Sequence, residues 1–329
     1  MNPPAGSLDM RTTAAWADLP DRMTLHAIGP AAVSFVDKFT TASLAMLEPG
    51  HGTEGFFTDG RGWVIALANL MRTTDGLWID AVGGAAARLR DHLEHYHIRE
   101  PLELVAGDAT SACHVVAGPE AARWLAARCD VPPPARPFDH VTTSLGGIAA
   151  HVARIEDAGP DAWLVRVDAV DAPAFRGWLD AEGLPRAAGA AVESQRIASR
   201  YPAPADIPEK TLPQELDRTA RAISFTKGCY LGQETVARLD ALGHVNRTLA
   251  IVAVEGGPPS VGAVIRLGDE PMGTITSSCV SPRDGGGIGL AIVHRRATAT
   301  AARLTVDGAA AHVVGSSAAA SDTVHGGPT

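Results

Sequence analysis

Downstream of Arg247 the chain breaks into short apolar runs: RTLAIVAVE, AVIRLGD, PMGTITSSCVS, GIGLAIVH and ARLTVDGAAAHVV, separated by Gly, Pro and Asp. Runs this short and this regularly interrupted suit antiparallel strands, and several in series predict a small barrel or sandwich over 247–314. Upstream the grammar is different. RMTLHAIGP reads as a strand leading to a helix near Pro30, where proline suits a first turn. TEGFFTDGRGWVIALANLMR reads as two strands about Asp59-Gly60, a pair that readily takes positive φ. LWIDAV is a strand, AAARLRDHLEHYH a helix with Leu89 and Leu93 on one face, LELVA a strand and PEAARWLAARC a helix. After the proline-rich VPPPARPFDH, the segments GGIAAHVARI, AWLVRVDA and PAFRGWLDAEG repeat the pattern. The expected layout is a flexible arm over 1–20, an α+β unit over 21–130 and a Pro-rich linker over 131–138. A second, related α+β unit (139–246), the barrel (247–314) and a disordered tail (315–329) follow.

Composition narrows the function. The 329 residues carry a formal charge of −9, with a pI near 5.7. That argues against direct nucleic-acid binding, which needs a basic face. No segment has the roughly 18–20 apolar residues of a membrane span, and the first 20 residues lack the pattern of a secretory signal. Cys113, Cys129, Cys229 and Cys279 form no CxxC pair, so reduced thiols and no stable metal are expected. The reading is a soluble cytoplasmic protein.

The chemistry concentrates in SFTKGCYLGQETVARLDALGHVNR, residues 224–247. Gly228 and Gly232 bracket Cys229, so the backbone can turn sharply and approach another group. From Gln233 the spacing is helical. Val236, Leu239 and Leu242 can face a core, Glu234 and Arg238 can pair four apart, and Gly243 can stop the helix. Cys229 then precedes a helix N-terminus with Lys227 nearby, and both favour a thiolate. The competing reading is a small buried cysteine beside a solvated lysine.

K-G-C-Y-x-G-Q-E, with an arginine four places after the glutamate, resembles the signature of the YgfZ-type folate-binding proteins. These are relatives of the glycine-cleavage T-protein that act in iron–sulfur cluster assembly or repair. AIGPAAVSFVDKFTTASL, FFTDGRGWVI, ESQRIASRYPAPADIPEKTLPQE and GHVNRTLAIVAVEG resemble other blocks of that family, so the similarity spans about residues 22–314. It implies an α+β, three-domain ring of two related units and a C-terminal antiparallel β-barrel, enclosing a cavity for tetrahydrofolate or a derivative. It implies Cys229, at the cavity rim, and Lys227 as the functional pair. Tyr230, Gln233, Glu234, Arg238 and Arg196 would be loop- or ligand-binding residues. Partners implied are iron–sulfur assembly proteins or client enzymes and a folate-like small molecule. The thiol would serve as a transient cluster ligand or protect a folate adduct.

Three departures bear on that reading. Ala66-Leu67 stand where T-proteins carry an acidic pair, Ala198 where a carboxylate would meet the amino-pyrimidine edge of a pterin, and Thr41-Ala42-Ser43 where an acid is usual. They favour an accessory protein over a turnover enzyme. The alternatives are a folate-dependent aminomethyltransferase and a ligand-free scaffold. Elsewhere His92, His95 and His97 read as an exposed helix end, PRDGGGIG as a turn, and His294, Arg295 and Arg296 as a solvent-facing strand end.

Overall fold

The computed structural model describes residues 10, 13–82, 85–107, 110–243, 245–299 and 302–315. The strands of its first two bodies are β1 (Ala15–Asp18), β2 (Met23–Ile28), β3 (Gly52–Thr58), β4 (Val64–Arg72) and β5 (Gly76–Ala81), then β6 (Glu103–Ala106), β7 (Ser111–Ala117), β8 (His140–Leu145), β9 (Ile148–Ile155) and β10 (Ala162–Asp168). The third body holds β11 (Arg247–Val254), β12 (Val264–Leu267), β13 (Glu270–Val280), β14 (Gly287–His294), β15 (Leu304–Val306) and β16 (Ala309–Val314). The helices are α1 (Ala32–Val36), α2 (Ala85–Tyr96), α3 (Ala121–Ala126), α4 (Ala172–Ala181), α5 (Gly189–Ala198), α6 (Thr219–Ala222) and α7 (Gln233–Leu242).

Two five-stranded antiparallel sheets, ordered β3-β4-β5-β2-β6 and β8-β9-β10-β7-β1, precede a closed barrel ordered β11-β14-β13-β12-β15-β16. The first two orders are the same path. In each, a strand leads through a helix to a three-strand meander and a second helix, and a fifth strand pairs beside the first. In the second sheet that fifth place goes to β1, brought from the far end of the chain and bridged to Arg186, just beyond α4. The duplication is therefore real in topology but interrupted in sequence.

This exchange corrects the expected boundaries. Residues 15–18 are a strand, not a flexible arm: Trp16 is fully buried, and Trp16 N donates to Pro185 O. The first unit ends near residue 107, because β7 and α3 belong to the second sheet. The proline segment is laid along that same sheet rather than linking units. Val131 N donates to Thr143 Oγ1, Trp163 Nε1 to Pro134 O and Phe138 N to Arg154 O. The expected tail from 316 on lies outside the described residues.

Strand β4 shows how the bodies meet. Its alternate residues Ala66, Ala68 and Leu70 face the core shared with α1 and α2. On the opposite face Leu67 joins a core with barrel residues Leu249 and Leu290, while Met71 joins one with Val115 and Leu164 of the second sheet. Between those apolar contacts stands Asn69, fully buried, pointing into a polar centre. The β3–β4 hairpin turns where expected, but the positive φ falls at Gly62 (+82°) rather than Gly60, and Asp59 Oδ1 accepts from Arg61 N and Trp63 N.

Candidate functional site: a clamped loop presenting one thiol

The 227–234 segment is fastened to the first unit residue by residue. Lys227 Nζ donates to the carbonyls of Asp37 (2.6 Å), Thr40 (2.9 Å) and Ala42 (2.6 Å) and to Asp37 Oδ1 (3.1 Å), with its side chain 1% exposed. These oxygens belong to the 37–42 segment that follows α1. Burial pulls this ammonium below the usual lysine range, with Asp37 opposing. Leu231 N donates to Lys38 O, and Leu231 O accepts from Thr58 Oγ1 at 2.6 Å. Tyr230 is buried with Phe56 and Leu67, and that burial pushes its phenol up to about 12. Gly232 has φ +84°; a Cβ there would sit 2.5 Å from Asp59 O and 2.8 Å from Thr58 Oγ1. The signature loop and the β3–β4 turn thus meet backbone to backbone.

Cys229 takes no part in this clamp. It is exposed, and the adjacent Gly228 has open space around it. The buried-cysteine reading is therefore corrected. So is the expectation of Lys227 as a free charge beside the thiol, because its ammonium is fully engaged by the 37–42 segment. Cys229 is not among the residues lining the four cavities described. Beyond it, α7 starts at Gln233 and ends on Gly243 in the left-handed region (φ +73°). Of its apolar residues only Val236 is buried; Leu242 is 61% exposed. Glu234 and Arg238 both face solvent, with no salt bridge between them among the described residues.

Arg196 is placed elsewhere, between α5 and the barrel. It is 3% exposed, and each of its nitrogens is engaged: Nε and Nη2 by Glu193, Nη1 by Asp206 Oδ2 and Tyr201 O, and Nη2 also by Ser277 Oγ. It joins elements rather than waiting for a ligand. Ala198 packs against the core shared with the barrel, Ala66 lies in the first core, and Ala42 is buried. Position 198 therefore offers a methyl group among aliphatic neighbours where an amino-pyrimidine would need a carboxylate. The residues at 196–198 do not fit folate in the manner the resemblance implies.

Carboxylates do reach the centre, from positions that pattern reading passed over. Arg22 Nε donates to both oxygens of Asp80 at 2.9 Å, and its Nη1 pairs with Asp157. Arg218 donates to Glu54 (Nη2 to Oε2, 2.6 Å) and lies 4.8 Å over the Tyr201 ring. Tyr201 OH reaches Asn69 Oδ1 at 3.3 Å, and burial pushes that phenol well up. Glu54 and Asp80 are fully buried. The available signal was an acid inside an otherwise apolar strand, in TEGFF and LWIDAV, since such a charge must find a partner in the fold.

The remaining motifs are structural. His92 packs edge-on to Phe39 and Tyr96, and among the described residues no group of His, Cys, Asp or Glu has the makings of a metal site. Asp284 Oδ1 accepts from Gly286 N in the glycine-rich turn. Arg295 and Arg296 are exposed.

Comparison with known proteins gives this architecture a family. The GCVT N-terminal domain matches residues 6–227 and the glycine cleavage T-protein C-terminal barrel domain residues 247–318. A crystal structure of the glycine cleavage system aminomethyltransferase T from Bartonella henselae superposes with a TM-score of 0.81 at 18% identity, covering 92% of this chain and 86% of that one. The chain belongs to the glycine-cleavage T-protein family. Within it the relationship is of the YgfZ type: 39 residues are 62% identical to the tRNA-modifying protein YgfZ of Colwellia psychrerythraea, 12% of each chain. A chloroplastic Arabidopsis thaliana protein named as a transferase is 30% identical over 132 residues, 39% of this chain and 29% of that protein. The chain spans less than a third of the length of these curated relatives. No helix among the described residues is long and apolar enough to cross a membrane.

Proposed function

We propose that this chain is a cytoplasmic accessory protein of iron–sulfur cluster assembly or repair, acting through Cys229 with assembly proteins or client enzymes as partners. The observation that supports it is the division of labour in the signature. Lys227, Tyr230, Leu231 and Gly232 each have a structural reason to be there, and the exposed cysteine they surround has none. One thiol cannot hold a cluster alone, so the cluster is a transient substrate whose other ligands come from a partner. A folate-like ligand belongs to this reading, but with Ala198 in the core its amino-pyrimidine would need another carboxylate. Aminomethyl transfer is the less favoured reading, because Ala66 and Ala198 supply no proton-handling group.

The test is complementation in a cell lacking the native gene. Wild-type chain is expected to restore iron–sulfur enzyme activity, and Cys229→Ser, at equal abundance, to leave it at the deletion level. Full restoration by Cys229→Ser would remove the thiol from the function.

A further inference from the structure

The largest of the described cavities, about 680 Å³, lies on the first unit, where the end of β2, α1 and the β4–β5 turn meet. Ile28, Pro30, Val33 and Ala45 give it an apolar wall, and its charged groups are Asp37, Lys38, Arg72 and Asp75. The fold treats the two signs differently. Asp37 is ion-paired to Lys227, which reaches it from outside the cavity, and its Oδ1 also accepts from Leu44 N at 2.7 Å. Asp75 is the one acid of the wall without a full cation beside it; its side chain is 57% exposed and accepts from Thr73 Oγ1 at 2.7 Å. Against it stand two cations, Lys38 and Arg72, and neither makes a salt bridge among the described residues. The wall therefore carries a surplus of positive charge in a chain whose formal charge is −9.

Arg72 shows what that charge can hold. Its Nη1 donates to Thr73 O at 2.6 Å and to Gly76 O at 2.7 Å, which uses both hydrogens of that nitrogen. Two neutral carbonyls thus fix the guanidinium within its own turn. Its Nε and Nη2 have no protein partner among the described residues, and together they form the guanidinium edge that meets two oxygens of one anion side by side. The volume lies within the range of small-molecule sites. We propose that this cavity binds a small organic anion: one carboxylate or phosphate group on the Nε–Nη2 edge of Arg72, Lys38 as the second cation, and a compact apolar body against Ile28, Pro30 and Val33. Cys229 and Ala198 line no part of this cavity, so the inference stands apart from both the thiol and the folate-like ligand.

The test is calorimetry on the full chain at constant ionic strength with benzoate, phenyl phosphate and, as the cationic counterpart, benzamidine. At least one of the two anions is expected to bind, and benzamidine is not. Arg72→Lys keeps the charge but loses the two-pronged edge, and is expected to weaken anion binding about 10-fold or more. Lys38→Gln should weaken it several-fold. Ala45→Trp, at an exposed position of the wall, should abolish it by occupying the cavity. Should Arg72→Lys fail to fold, Lys38→Gln and Ala45→Trp carry the test. Tighter binding of phenyl phosphate than of benzoate identifies a phosphate ligand, and the reverse a carboxylate. Absence of binding by both anions at millimolar concentration, benzamidine binding as tight as theirs, or anion binding left unchanged by the substitutions overturns the proposal.

Discussion

Gly228 and Gly232 flank the same cysteine, yet the backbone needs only one of them. Gly232 combines φ +84° with backbone oxygen and a threonine hydroxyl where a side chain would go. Gly232→Ala is expected to destabilise the chain by about 2–4 kcal/mol, from strain and steric overlap together. Gly228→Ala meets nothing within 4 Å and is expected to stay within about 0.5 kcal/mol of wild type. Urea unfolding of the two variants side by side checks both. At this scale the sequence was legible where a residue type has one dominant reason, as with Gly243 ending α7. It was not legible for Lys227, because its four oxygen partners come from residues 37–42, nearly two hundred positions away. Nor did it reveal Asp80 and Glu54, whose roles depend on arginines from distant segments.

Among the elements, the second sheet carries an acid-sensitive load. His114 on β7 is fully buried between Trp16 and Phe175, and burial lowers it to about 4 despite Asp18 3.0 Å away. On β8 and β9, His140 Nε2 bonds Arg72 O at 2.8 Å and so carries the proton, which makes its Nδ1 the acceptor for His151 Nε2, also at 2.8 Å. Burial, with the nearby Arg166 charge adding to it, holds His151 well below the ordinary range, and His140 is lowered too. These imidazoles are neutral in the fold and take up protons near pH 6.5 when unfolded. The unfolded state therefore binds more protons as acid is added. Stability is full above about pH 6.5 and is lost as pH falls from there toward 4, by on the order of 3 kcal/mol from His114 alone. Denaturation across that range should show the slope, and His114→Phe, which keeps the aromatic contacts, should flatten it. The elements themselves were mostly visible in local pattern: α2 and the β3–β4 hairpin follow their apolar spacing. Strand β1 was not, since AWAD is four residues long and gains its place only by pairing with residues 114–117.

For the whole molecule, the barrel is tied to the upstream bodies by a few buried charged groups as well as by the core around Leu67, Leu249 and Leu290. Arg196 is central among them, with Asp206 in turn accepting from Ser277 Oγ at 2.7 Å on β13. Arg196→Met leaves Asp206 buried without its cation and is expected to cost about 3–5 kcal/mol, read as a lower urea midpoint. The duplication was legible in the repeated strand–helix grammar, whereas the boundary between the units was not. A chain that sends its first strand into its second unit leaves no local mark of having done so.

Cys229 is the one exposed thiol of the four. Burial raises Cys129 and Cys279 to about 11, and Cys113 is buried, so none of these three should react quickly at pH 8. Titrating the native protein with a chromogenic disulfide reagent should therefore give a single fast thiol that disappears in Cys229→Ser. A fast thiol that persists in that variant, or a Cys229 that reacts only when the whole chain unfolds, would contradict the account.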